Sequence, residues 1–146
     1  MRRLLLVLLL LVACKPPKPP AVEPSVAERE LARADELARM NQLEPARELY
    51  RKVVRDNPKD PTAAQALYAL GLLYVDPKGP LRNYPSARVA FDRLATEHPS
   101  SPHAAEARAW SAALRELQQY KDQATGLRQD LEHLKKLDLE LERRRH

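Results

Sequence analysis

The chain has 146 residues and a formal charge of +5, with 44% apolar residues, 5% aromatics and three glycines. That length is a prior for one domain, and a mixture dominated by Ala, Leu, Glu and Arg favours helix and offers little for a sheet. Basic residues alternate with acidic ones along the chain, which describes a solvated surface rather than the cationic stripe of a nucleic-acid binder.

Arg2 and Arg3 precede nine apolar residues, Leu4 to Val12. Nine are too few to cross a hydrocarbon core of about 30 Å, so the segment reads as the apolar region of an export signal. It runs into "LVAC", Leu11 to Cys14. This resembles the lipobox of bacterial lipoproteins: an aliphatic residue, a tolerant position, a small residue, then cysteine. The resemblance implies cleavage after residue 13, a diacylglycerol on the Cys14 thiol and acylation of the new amine by a chain such as palmitate. One acyl chain anchors marginally, whereas two or three hold durably. Cys14 is the single cysteine, so no disulfide within the chain competes for it. Loss of Arg2 and Arg3 with the signal leaves the mature chain near +3. Lys15, not Asp, follows the cysteine, and the resemblance then implies the periplasmic face of the outer membrane.

Residues 14–24 carry the lipidated cysteine and a tether, "KPPKPPAVEP", holding five of the thirteen prolines. Proline lacks an amide donor and fixes φ, so the tether is expected to be an extended spacer of up to about 30 Å.

Helical territory begins at Ser25, which with Glu28 forms a capping box. Leu31, Ala34, Leu37 and Ala38 follow at helical spacing. "NQLEP" interrupts at 41–45, and a second helix points Ala46, Leu49, Tyr50 and Val53 inward before "RDNPKDP" stops it. Asp60 and Pro61 suit the N-cap and first turn of a third helix with Leu67, Leu70, Leu73 and Tyr74 apolar. "VDPKGPLRN" is a loop. Asn83 caps a fourth helix carrying Ala87, Val89, Ala90, Phe91 and Leu94. Ser101 and Pro102 open a fifth.

Ala46, Tyr50, Val53 and Pro58 match Ala87, Phe91, Leu94 and Pro99 at a constant offset of 41. Helix-turn-helix units with a small residue at the crossing, an aromatic four later and a closing proline resemble tetratricopeptide repeats, here lengthened from the usual 34 residues. Leu67, Leu70, Gly71 and Tyr74 match the large, Leu, Gly, Tyr spacing of that family's first helix. Gly71 within a helix costs about 1 kcal/mol relative to alanine, which makes sense where a neighbouring helix approaches closely. The lengthened units, with "HPSSPHAAEA" at their junction, are similar to those of BamD-type and TolA-binding-coordinator-type envelope lipoproteins. The expectation is an all-α fold: two tetratricopeptide-like hairpin repeats over 25–100, then a long C-terminal helix over 101–146.

In that last helix Leu117, Tyr120, Ala124, Leu127, Leu131, Leu134, Asp138 and Leu141 alternate at spacings of three and four, a coiled-coil seam weakened by Asp138 and by Gly126. Three readings stay open. The helix folds back as a cap on the repeats, which is the favoured one; it pairs with another chain, including a copy of itself; or it projects as a charged helix awaiting a partner.

No catalytic constellation is present. His98, His103, His133 and His146 form no metal-binding motif, and His98 with His103 reads as an exposed pair in a turn. The expectation is a binding protein, not an enzyme, with no cofactor, no metal and no nucleic-acid partner. The repeat resemblance places the first helix of each unit on a concave face, implying a partner groove of Leu31, Asp35 and Arg39 with Gln65, Tyr68, Leu72 and Val75; Ala38, Glu106, Ala109 and Ala113 continue that surface. Packing of these residues under the C-terminal helix is the competing reading. The functional expectation is a lipid-anchored periplasmic scaffold binding envelope proteins in outer-membrane assembly or maintenance. An accessory lipoprotein regulating an envelope sensor kinase and a coiled-coil structural spacer are the alternatives.

Overall fold

Five helices account for the fold in the computed structural model, which describes residues 23–145: α1 Val26–Arg39, α2 Leu43–Asp56, α3 Pro61–Val75, α4 Tyr84–Glu97 and α5 Ala104–Arg145. The expected export signal, Cys14 and most of the expected tether lie outside the described residues. Each helix packs chiefly on its neighbours in the chain, α1 on α2, α2 on α3, α3 on α4 and α4 on α5, with a minor contact between α1 and α3. This is the sequential packing of a helical-repeat array, in which local contacts dominate.

The boundaries follow from capping chemistry. Ser25 and Glu28 satisfy each other's backbone amides at the start of α1. That helix ends in a Schellman arrangement: Asn41 adopts φ 58°, its amide donates to Ala38 and that of Gln42 to Leu37. Asparagine tolerates the left-handed conformation better than most side chains, so it substitutes for the usual glycine. Asp60 accepts from the Thr62 amide at 2.8 Å ahead of Pro61, and Asn83 accepts from the Ser86 amide at 3.0 Å. The long loop between α3 and α4 is closed by the Asn83 amide donating to the Tyr74 carbonyl and by burial of Leu81.

The two matching segments occupy α2 and α4, which begin and end at the same offset of 41. Ala46, Tyr50 and Val53 are buried in one, and Ala87, Phe91 and Leu94 in the other. Ala46 and Ala87 have no exposed surface at all, as expected of small residues at helix crossings. Gly71 of α3 lies directly against the Phe91 ring, where a Cβ would come within 2.4 Å of two ring carbons. Phe91 in turn stacks on Trp110 of α5, with centroids 5.8 Å apart, and meets the edge of Tyr68 at 6.2 Å. These contacts put the start of α5 inside the same core as the repeats.

Several expectations require correction. Val89 points outward and is 53% exposed. The fifth helix starts at Ala104 because Ser101 first makes a turn, its hydroxyl accepting from His103 and its carbonyl from Ala104. His98 and His103 are half-buried rather than exposed, and His103 stacks on Tyr68 with centroids 4.1 Å apart. The favoured reading of the C-terminal helix as a cap does not hold. α5 is continuous for 42 residues, buries Ala104, Ala107, Ser111 and Leu114, and has no buried residue from Leu117 to Arg145. No proline interrupts it after Pro102 and its glycine, Gly126, stays helical, so the chain has no place to double back. Gly126 is accommodated in the helix with open space around it.

Candidate functional site

A small set of polar contacts ties neighbouring helices together, and the other side-chain ion pairs lie within single helices. Tyr50 of α2 donates to Asp35 of α1 at 2.7 Å, and Lys52 bonds Glu30 across the same pair. Burial, reinforced by the Asp35 carboxylate, raises the Tyr50 pKa. Ser111, buried on α5, donates to Asp92 of α4, and Arg115 reaches the same serine at 3.1 Å. Arg93 binds Glu97 through two nitrogens, at 2.9 and 3.0 Å, holding that carboxyl below the usual range. The contacts between helices fix their register. Among the described residues no three His, Cys, Asp or Glu side chains gather where they could hold a metal ion, and no helix is long and apolar enough to cross a membrane.

Two surfaces remain uncommitted. The first is a groove of about 500 Å³ between α1 and the start of α3, lined by Ser25, Glu28, Leu31, Ala32, Asp35, Asp60, Pro61, Thr62 and Gln65. It adjoins a cleft of about 250 Å³ that shares Pro61 and Gln65 and extends to His98, Ser101 and His103 at the entry to α5. The first helices of the two hairpins, α1 and α3, thus line a face made of two adjoining clefts. Of the residues named from sequence, Leu31, Asp35 and Gln65 line it, Leu31 from within the core. Tyr68 stands beside the cleft, stacked on His103 and donating to Glu106 at 2.6 Å. That hydrogen bond, helped by burial, pushes its pKa up to about 12. Tyr68 is therefore pinned to α5. Arg39 bonds Glu36 on its own helix, while exposed Leu72 and half-buried Val75 lie outside both clefts. The Nε2 atom of His98 is buried without a hydrogen-bond partner. Sequence reasoning missed His103 as a lining residue, since the contact that brings it to Tyr68 spans 35 residues and leaves no periodic trace.

The second surface is the projecting part of α5. Leu117, Leu127, Leu131, Leu134 and Leu141 are all exposed, from 38% to 69%, as is Tyr120. At about 1.5 Å per residue, the 24 residues after Lys121 extend about 36 Å past the last contact with α4, where the Lys121 ammonium lies 5.1 Å from the Tyr84 ring centroid. An amphipathic helix of this length keeps its apolar face in water only at a cost, so the surface calls for a partner.

No family model matches the chain, and neither a curated protein nor a solved structure is similar enough to match it.

Proposed function

We propose that this chain is a lipid-anchored scaffold of the cell envelope, tethered through Cys14 to the periplasmic face of the outer membrane, that binds another envelope protein through its helical-repeat surface. The observation that carries the reading is the pair of adjoining clefts, one between α1 and α3 and one between α3 and the turn that leads into α5. Curved surfaces made by the first helices of stacked hairpins suit extended or helical segments of other proteins. The repeats are tetratricopeptide-like on this reading. Its support is the offset of 41 between α2 and α4, with equivalent positions buried, and Gly71 at the close crossing with Phe91. The anchor rests on "LVAC" after a nine-residue apolar run, and the Pro-rich stretch lifts the domain off the bilayer. A role in outer-membrane assembly or maintenance fits a binding surface held at that membrane.

Two measurements test the proposal. Intact-mass analysis of the membrane form should find an N-terminus at Cys14 carrying acyl mass, and Cys14→Ser should yield uncut precursor or soluble protein. Any other mature N-terminus without acyl mass refutes the anchor. A photo-crosslinking residue at Gln65, in the groove, should trap an envelope protein that the same residue at Arg55, on the exposed surface of α2, does not. Equal labelling from both positions refutes the groove.

A further inference from the structure

The stripe of α5 that docks on α4 runs through Ala104, Ala107, Ser111 and Leu114. At 100° per residue, the leucine seam from Leu117 to Leu134 is centred about 150° round the helix from that stripe. The seam is therefore a separate face, and α4 does not obstruct it. Charged residues flank it directly on both sides, which keeps the apolar strip two positions wide per heptad, the width of a two-stranded seam.

We propose that a second copy of this chain covers the seam, the two α5 helices forming a parallel, in-register coiled coil from Leu117 to Leu134. Leu117, Ala124 and Leu131 take the a positions, and Tyr120, Leu127 and Leu134 the d positions. The flanking charges select this arrangement. At the e positions stand Lys121, Arg128 and Lys135, and at the g positions Glu116, Gln123 and Asp130. In a parallel pair each g residue faces the e residue of the next heptad on the other helix. Asp130 then meets Lys135 and Gln123 meets Arg128, while Glu116 faces Lys121, whose ammonium also lies over the Tyr84 ring of its own α4: two opposite-charge pairs, one neutral pair and no like-charge pair. An antiparallel pair sets e against e, bringing the three cations together. Lys135 already bonds Glu132 of its own helix at 3.0 Å, yet 59% of its side chain is exposed, so it can bridge to both carboxylates. Asp138 occupies the next a position. In register, two carboxylates would meet there, and the leucine stack closes above them. The proposal stands independently of the lipid anchor and of the groove.

The test uses the full chain purified in mild detergent and carrying Cys14→Ser, so that an introduced cysteine is the sole thiol. Sedimentation equilibrium should give a dimer. Leu134→Cys should form a disulfide with its own copy under mild oxidation. Leu127→Asp, a change at an exposed position, should weaken the dimer by about a hundredfold while helix content and the melting of the repeats persist. Lys135→Glu should weaken it about tenfold, and Asp130→Lys with Lys135→Glu should restore it. A monomer at the highest concentrations reached, a trimer or larger mass, or a dimer indifferent to Leu127→Asp overturns the proposal. So does a dimer in which Leu134→Cys bonds only to a copy bearing Ala124→Cys, the antiparallel outcome.

Discussion

Replacing Gly71 with alanine sets two effects of known size against each other. Alanine in a helix interior is worth about 1 kcal/mol over glycine, so propensity alone favours the variant. The added methyl carbon, however, would sit 2.4 Å from Cε1 and Cζ of Phe91 and 2.8 Å from Cδ1. Carbon atoms rest at about 3.5–4.0 Å, so the ring or the α3 backbone must retreat by more than about 1 Å. Phe91 has no exposed surface and is held between Trp110, stacked nearly parallel at 9°, and the edge of Tyr68. The ring cannot swing aside without moving α5. Overpacking of this kind costs about 1–3 kcal/mol and more where neighbours are rigid, so Gly71→Ala is expected to lose about 1–2 kcal/mol net. For a packed region of this size that is a fall in melting temperature of roughly 5–15 °C. Fluorescence of Trp110, the single tryptophan, follows the transition from within the affected stack. Shortening the obstacle with Phe91→Leu in the Gly71→Ala background should recover part of the loss, which a purely local backbone effect would not allow. Gly126→Ala is the matched contrast, since nothing lies within 4 Å of its added methyl; it should raise the helix content of α5 and leave the Trp110 transition in place. If Gly71→Ala melts at or above the parent temperature, the close crossing of α3 and α4 has been misread.

The remaining predictions concern the crossings, the projecting helix and alkaline pH. Ala46→Leu and Ala87→Leu should each destabilise by about 1–3 kcal/mol in a thermal melt, whereas Arg51→Leu, at a side chain 58% exposed, should stay within about 0.5 kcal/mol; equal effects from all three would contradict the shared register of α2 and α4. Truncation after Lys121 should leave the Trp110 melting transition where it is, because no later residue is buried against the repeats; a drop of several degrees would mean that α5 folds back after all. The folded-state pKa values of Tyr50 and Tyr68 both lie above the ordinary phenol value, so folding favours their protonated forms. Their contribution is complete below the unfolded value near 10 and is lost as pH rises through the folded values. Stability should accordingly decline above about pH 10, and Tyr50→Phe should flatten that decline in denaturant titrations across the range; an unchanged slope counts against the bond to Asp35.

Where an interaction is local, the order of residues determined it. The capping box at Ser25, the Asp60–Pro61 entry and the Asn83 cap follow from partners within one helical turn, and the inward face of Ala46, Tyr50, Ala87 and Phe91 shows as apolar side chains repeating at 3.6 residues. The close approach at Gly71 was legible as well, since a glycine inside a helix needs a neighbour to justify it. Tertiary structure alone decided what spans longer separations. Whether α5 would cap the repeats or leave them could not be read from its pattern, because an apolar seam states that a face seeks cover without stating whose. The outcome shows in two stripes of the same helix: the one through Ala107 and Leu114 is buried where α5 packs on α4, while the leucine seam, rotated away from it, stays exposed. Tyr68 illustrates the same limit. From sequence it belonged to an open strip with Leu72 and Val75; in the fold it is pinned by His103 and Glu106, and the groove lies instead along Leu31, Asp35 and Gln65. A side chain's periodicity assigns it to a face, but which face closes and which stays open depends on how successive hairpins stack, and that is settled by contacts between residues far apart in the chain.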